Sequence, residues 1–235
     1  MTIFVFRDDP YAASCSAEVS AIGEDGLRLD RTVFYPMGGG QPGDRGRITF
    51  GERSIEVVDT LKGEDGTAAI HRIAATGALP GVGTPVTAEI DWARRHRLMR
   101  MHSALHLLCS AVAQAVTGGQ VGEHKGRLDF DVQGAALDKD AIAAQMAQWI
   151  HDDRPIVERW IEAGELEARP ELVRTMSVQP PWTGGRIRLI EIDGVDLQAC
   201  GGTHVRSTSE IGAVRVAKIE NKGRQNRRVN LAFEE

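Results

Sequence analysis

Hydrophobic positions in the first ninety residues come in short runs that alternate with polar ones. Val19-Ser20-Ala21-Ile22, Leu27-Arg28-Leu29, Arg47-Ile48-Thr49-Phe50, Ile55-Glu56-Val57-Val58 and Val86-Thr87-Ala88-Glu89-Ile90 read as strands, separated by Gly, Pro and Asp. Strands this short, with turn residues at close intervals, pack as a small barrel or sandwich. The pattern changes at Asp91. From Trp92 to Val116 there is neither Gly nor Pro, and Leu98, Met101, Leu105, Leu108, Val112 and Val116 recur at helical spacing. Asp91 is the expected N-cap of that helix and Gly118-Gly119 its stop. A second helix is expected from Asp138, as cap, through Ile150, limited downstream by Pro155. Past Pro170 and Pro180-Pro181, Arg186–Ile192 predicts a strand ending at Gly194. Ala213–Ile219 and Arg228–Phe233 predict a hairpin around Asn221-Lys222-Gly223. The fold class is therefore α+β: a small β-barrel or sandwich over residues 1–90, then an α/β domain over residues 91–235.

Composition narrows the function classes. Lys+Arg 28 against Asp+Glu 33 leaves a net charge of −5 over 235 residues, which excludes a uniformly basic nucleic-acid coat but not a local basic stripe. No apolar run approaches the roughly 20 residues of a membrane span, and the apolar start Ile3-Phe4-Val5-Phe6 lacks the basic lead of a secretory signal. Cys15, Cys109 and Cys200 are odd in number and scattered, which argues against a disulfide framework. A soluble, cytoplasmic, monomeric protein is expected.

Two pairs of residues carry metal-ligand chemistry. His102 and His106 are four apart in the long helix, which puts both rings on one face, one turn apart. The Glu that a zinc protease needs directly after the first His is absent, so that class is excluded. Far downstream, Cys200-Gly201-Gly202-Thr203-His204 places a thiol and an imidazole four apart across two glycines, on a loop able to curl. Three imidazoles and one thiolate suit Zn²⁺. Either pair alone is a weak signal, and spacing does not show that they meet. The segment Gly38-Gly39-Gly40-Gln41-Pro42-Gly43 lacks the Lys-Ser/Thr of a phosphate-binding loop, so no nucleotide cofactor is expected.

His102-Ser103-Ala104-Leu105-His106-Leu107-Leu108 together with Cys200-Gly201-Gly202-Thr203-His204 resembles the editing domain of alanyl-tRNA synthetases and of the freestanding AlaX-type editing proteins. The editing domain of threonyl-tRNA synthetases shares the metal motif. Phe34-Tyr35-Pro36-Met37-Gly38-Gly39-Gly40-Gln41-Pro42-Gly43-Asp44 resembles the Gly-rich segment of the barrel that precedes the editing domain. Asp91-Trp92 with Arg94-Arg95 and Leu98-Met99-Arg100 resembles the family's helix start, and Lys222-Gly223 with Asn226-Arg227-Arg228 the end of the freestanding proteins. The chain has no room for a class II aminoacylation core, so the freestanding barrel-plus-editing form fits best. Where the synthetases often carry Gln-Lys-Gly, this chain has His124-Lys125-Gly126.

The resemblance implies a Zn²⁺-dependent hydrolase that cleaves the ester joining serine or glycine to the acceptor end of tRNA(Ala). The alternatives are a Ser-tRNA(Thr) deacylase and a zinc-stabilised RNA-binding module without catalysis. His102, His106, Cys200 and His204 are then the ligands. A pocket that rejects alanine must reward the serine hydroxyl with a hydrogen bond, for which Ser103 and Thr203 are candidates. His124, Asp129 (with Asp131) and Gln41 are further candidates beside the pocket. For the tRNA backbone, Arg94 and Arg95 belong to a cluster with Arg97 and Arg100 on the first helix. Lys222, Arg227 and Arg228 belong to one with Arg215, Lys218 and Arg224 in the tail.

Overall fold

The alternating runs at the start of the chain close on themselves. The computed structural model describes residues 2–63, 66–74, 79–134, 136–174, 182–183 and 185–234. In chain order the first strands are β1 (Ile3–Phe4), β2 (Ser14–Gly23), β3 (Gly26–Leu29), β4 (Arg31–Thr32), β5 (Gly46–Phe50), β6 (Arg53–Lys62), β7 (Ala69–Ile73) and β8 (Pro85–Ile90). A closed barrel runs β2-β3-β7-β6-β5-β8, and β1 and β4 form a short parallel pair. Closure leaves no sheet edge to pair with another chain. The inward positions Val19, Leu27, Leu29, Ile48, Val57, Val86 and Ala88 fill the barrel with Val33 and Phe34. Each strand expected from alternation lies within one of these elements. β7 is additional: its Ala69-Ile70-His71 run is buried without alternation, with Ala69 packed in a cluster with Phe4, Phe6 and Tyr35 and His71 against Phe34 and Thr32.

Close approach of the backbone demands glycine at several places in and beside the barrel, most tightly at Gly43 and Gly46. A Cβ on Gly43 would lie 2.0 Å from the Thr60 carbonyl oxygen, and one on Gly46 2.1 Å from that of Glu89. The upstream glycines serve a different need. Gly38 and Gln41 exchange backbone hydrogen bonds across Gly39 and Gly40, whose φ of 58° and 81° are those of a two-residue hairpin turn.

Helix α1 (Trp92–Val112) begins as expected, with the Asp91 carboxylate accepting from the Arg94 backbone N–H at 3.0 Å. It ends earlier than its apolar spacing suggests. Ala113 takes a left-handed φ of 53°, and the next segment is strand β9 (Ala115–Gln120), which holds Val116 and both glycines of the expected stop. β-branched Val116 and Thr117 favour a strand, and pairing with β10 (Lys125–Asp131) decides it. The chain divides into two compact units, residues 1–96 and 97–235, and the division falls inside α1. The reason is local: the first turn of α1 is bonded to barrel residues. Arg94 Nη1 donates to the Gly43 carbonyl at 2.8 Å. Arg95, fully buried, pairs with Asp44 and donates to the Val33 and Pro10 carbonyls.

The second unit holds α2 (Lys139–His151), β11 (Ile156–Glu162), α3 (Ala163–Ala168), β12 (Trp182–Thr183), β13 (Arg186–Ile192), β14 (Asp196–Ala199), β15 (Val214–Asn221) and β16 (Asn226–Phe233). One antiparallel sheet runs β15-β16-β10-β9; in the other, β13 is flanked by β11 on one side and pairs β12 and β14 on the other parts of its edge. Asp138 caps α2 by accepting from the Asp140 and Ala141 N–H groups, β13 has the expected bounds, and β15–β16 is the expected hairpin. The expected break at Pro180-Pro181 lies outside the described residues. From Leu98 to Cys109, α1 is buried on nearly all sides, not along a single stripe. Gly126 of β10 permits one of these approaches, since a Cβ there would sit 2.9 Å from Met101 Cγ and Sδ.

Candidate metal centre

Helix and strand periodicity deliver the four candidate ligands to one place. α1 presents His102 and His106 from adjacent turns. In β14 the two-residue period puts Asp196 and Gln198 on the buried face, and Cys200 follows at the next alternate position. Cys200 starts the loop to His204. That loop is held by Arg188 of β13, which donates from Nη1 to the Cys200 and Gly202 carbonyls at 2.9 and 2.8 Å and pairs with Glu158. One ligand atom from each of His102, His106, Cys200 and His204 lies within 4.8 Å of the other three. Cys200 Sγ is 3.3 Å from His204 Nε2 and 3.6 Å from His102 Nε2. The edge of a tetrahedron with bonds of about 2.0–2.3 Å is about 3.3–3.8 Å. The donor set and its spacing thus fit a four-coordinate metal ion.

The rings are held from behind. His106 Nδ1 lies 2.9 Å from Asp196 Oδ2, and His204 Nδ1 lies 3.1 Å from Ser103 Oγ, which also accepts from the Val205 N–H. In both residues Nε2 is therefore left to face the cluster. Electrostatics matches this. Burial opposes ionisation of Cys200, yet the His102 and His204 rings hold its thiol well below the ordinary range; a backbone N–H from Gly202 also reaches the sulfur at 3.5 Å. Burial, reinforced by His102, keeps His204 well below its usual value, hence neutral and able to ligate. For His106, burial works against the proton, but the Asp196 hydrogen bond and then Cys200 outweigh it and raise the pKa to about 9 in the metal-free centre. Burial likewise works against the Asp196 carboxylate, and the bond from His106 keeps its pKa below the usual range. His102, His106 and His204 are buried, whereas residue Cys200 is partly exposed and Gly201 exposed.

The other sequence candidates fall in different places. Ser103 is fully buried and bonded to His204 and Val205. Thr203 is buried between Cys200 and His204. His124 is exposed in a surface depression shared with Lys125, Arg215 and Phe233. Asp129 is tied bidentately to Arg228 at 2.7 and 2.9 Å and to Arg127 at 2.7 Å, which lowers its pKa through the Arg228 hydrogen bond first; Asp131 bonds Gln133. Gln41 is buried at the hairpin turn of the first unit.

The basic cluster expected on α1 does not form a surface. Arg94 and Arg95 are buried and bonded to barrel residues, Arg97 faces Glu123 at 3.5 Å, and Arg100 donates to the Ile211 carbonyl and lies 4.4 Å from the centre of the Phe233 ring. Positions adjacent in sequence diverge around a helix, so a count along the chain overstated the cluster. In the tail, Arg228 is paired with Asp129 and Arg227 donates to the Gly223 and Asn226 carbonyls. Lys222, Arg215, Lys218 and Arg224 are exposed. Cys109, expected to pack as a small hydrophobe, is buried, and burial pushes its thiol up to about 11.

Sequence reading missed Asp196, Gln198, Ser110 and Arg188. The signal for the first two was present: counted back from Cys200 in steps of two, Gln198 and Asp196 share its face of the strand.

Two family models match the chain. The one described as the threonyl and alanyl tRNA synthetase second additional domain matches residues 187–230, which include Cys200 and His204. The one described as tRNA synthetases class II (A) matches residues 6–94, the barrel and the start of α1. An alanine–tRNA ligase of Halorubrum lacusprofundi is 37% identical over 82% of this chain but only 21% of its own length. The alanyl-tRNA editing protein AlaX-M of Methanosarcina acetivorans is 32% identical over 97% of this chain and 98% of its own, and that of Saccharolobus solfataricus 33% identical over 97% and 98%. The match to the AlaX-M relatives runs over nearly the whole of both chains, and the chain belongs to the AlaX-M family of alanyl-tRNA editing proteins.

Proposed function

We propose that this protein is a trans-editing hydrolase that cleaves the ester of Ser-tRNA(Ala), and of Gly-tRNA(Ala), to free amino acid and tRNA. The observation that carries the reading is the convergence of His102, His106, Cys200 and His204 in a chain collinear with AlaX-M relatives. These four residues would hold Zn²⁺, which when bound supplies Lewis acidity toward a carbonyl or a water of lowered pKa.

An aminoacyl ester is already activated, so the protein must chiefly place it and exclude competitors. The acceptor end is proposed to enter beside the partly exposed Cys200 and the exposed Gly201. Arg188 fixes that entrance by gripping two loop carbonyls. Of the two hydroxyls considered for recognising serine, Thr203 is proposed to face the substrate, because it lies in the Cys200–His204 loop that carries two of the four candidate ligands. Thr203→Val is expected to lower kcat/KM for Ser-tRNA(Ala) at least tenfold with metal content unchanged, because a buried hydroxyl on the substrate would lose its partner. The exposed tail cations Arg215, Lys218, Lys222 and Arg224 are proposed to meet tRNA phosphates.

The test is serine release from Ser-tRNA(Ala), with Ala-tRNA(Ala) and Ser-tRNA(Thr) alongside. Preferential release from the first supports the reading, whereas release only from Ser-tRNA(Thr) moves the activity to the other tRNA. A non-catalytic zinc module predicts that Cys200→Ala unfolds the protein, while the hydrolase reading expects a folded, inactive variant.

A further inference from the structure

We propose that Asp196 is the positioning residue of the metal centre: its carboxylate keeps a proton on His106 Nδ1 and so leaves Nε2 as the nitrogen that ligates, aimed at the other three ligands. This rests on the reading that the four residues bind a metal ion.

The Asp196 side chain has 0% exposure. An ionised carboxylate only accepts, and donors meet both of its oxygens. Oδ2 lies 2.9 Å from His106 Nδ1 and 2.7 Å from the Gln198 side-chain amide nitrogen, which itself lies 3.1 Å from Nδ1. Oδ1 accepts from the Ser110 hydroxyl at 3.1 Å and lies 3.8 Å from Arg174 Nε. With the Gln198 amide donating to Oδ2 at the shorter distance, the contact between that oxygen and Nδ1 is a hydrogen bond only when Nδ1 bears hydrogen, which is the tautomer whose Nε2 lone pair can ligate. His204 has no such constraint, because the Ser103 hydroxyl beside it can donate as well as accept. Asp196 also sits on β14 while His106 and Ser110 sit on α1. The same carboxylate therefore sets the approach of the two elements that bring the ligand pairs together.

Asparagine separates this role from simple packing. It has the same shape, but its amide nitrogen would face donors whichever oxygen it replaced, and it cannot enforce the Nδ1–H form. The experiment compares wild type, Asp196→Asn and Ser110→Ala by competition for zinc with a chromophoric chelator, by the visible spectrum of the Co²⁺-substituted protein, and by the thermal midpoint of the metal-free protein. Asp196→Ser, which shrinks the side chain and admits water to Ser110 and Arg174, takes the same reading if the amide prevents folding. The expected result is a zinc dissociation constant raised about 10–100-fold in the folded Asp196 variant, with an altered cobalt spectrum. Ser110→Ala, which leaves the His106 bond in place, stays within about threefold of wild type on the same scale. Unchanged zinc affinity in a folded Asp196 variant overturns the proposal and leaves the metal reading standing. A wild-type protein that takes up neither zinc nor cobalt overturns both.

Discussion

Two buried carboxylates anchor the polar interior, Asp44 in the first unit and Asp196 in the second. Asp44 accepts from Arg95, whose remaining donors reach the Val33 and Pro10 carbonyls, so truncating the acid strands a guanidinium among groups that cannot neutralise it. Asp44→Ala is expected to cost about 3–5 kcal/mol in denaturant unfolding, against less than about 1 kcal/mol for Glu89→Ala at the exposed Arg47–Glu89 pair. His71 is buried and neutral, with Nδ1 at 3.0 Å from the Leu27 carbonyl and Nε2 at 2.8 Å from the Thr32 hydroxyl; burial lowers its pKa from 6.5 to about 4. Between those values the unfolded chain binds a proton that the folded chain does not, so stability falls as pH drops from 6.5 toward 4. The His71-dependent loss is about 2 kcal/mol by pH 5. The stability gap between wild type and His71→Gln should narrow by that amount from pH 7.5 to pH 5 in urea titrations; a constant gap would show that His71 does not titrate this way. The metal candidates were legible in the sequence because ligand chemistry requires particular residue types at particular spacings. Their supports were not: Asp196, Gln198 and Arg188 act through tertiary neighbours that spacing alone does not name.

Elements were legible wherever local chemistry agreed with packing. The caps at Asp91 and Asp138 mark real helix starts, and Asp138→Ala should cost about 1 kcal/mol, seen as a lower urea midpoint. The end of α1 was misread because Val116 continues the helical apolar spacing, while its place in β9 depends on pairing with β10, which no local signal at Val116 announces. In the Gly-rich segment, sequence showed that glycine mattered but not why. Gly39 has a left-handed φ of 58° and open space within 4 Å of where a Cβ would stand, whereas a Cβ on Gly43 would be driven into the Thr60 carbonyl. Gly39→Ala is therefore expected to cost about 1 kcal/mol and Gly43→Ala about 3 kcal/mol in the same titrations. Equal effects would contradict the distinction between backbone conformation and close approach.

At the level of the whole molecule, a net charge of −5 coexists with an exposed basic hairpin. Lys218 is 69% exposed and Lys222 41%, and Glu220 between them offsets part of their charge. Replacing Lys218, Lys222 and Arg224 together by Ala should raise KM for tRNA with kcat largely retained, and should reduce the slope of log affinity against log salt by about 2–3. An unchanged slope would place the tRNA elsewhere. The alternating strands of the first unit, the starts of both helices and the hairpin were readable from pattern, whereas closure of those strands into a barrel rather than a sandwich was not, since it depends on pairings between strands distant in sequence. What the molecule does rests on the four-residue centre acting as a hydrolytic site. The measurement to make is serine release from Ser-tRNA(Ala) by zinc-loaded wild type and by folded Cys200→Ala, with Ala-tRNA(Ala) as the competitor. Rapid release by wild type, sparing the alanyl ester and lost in the variant, is the expected result; release at the spontaneous rate by zinc-loaded wild type, or undiminished release by Cys200→Ala, would contradict it.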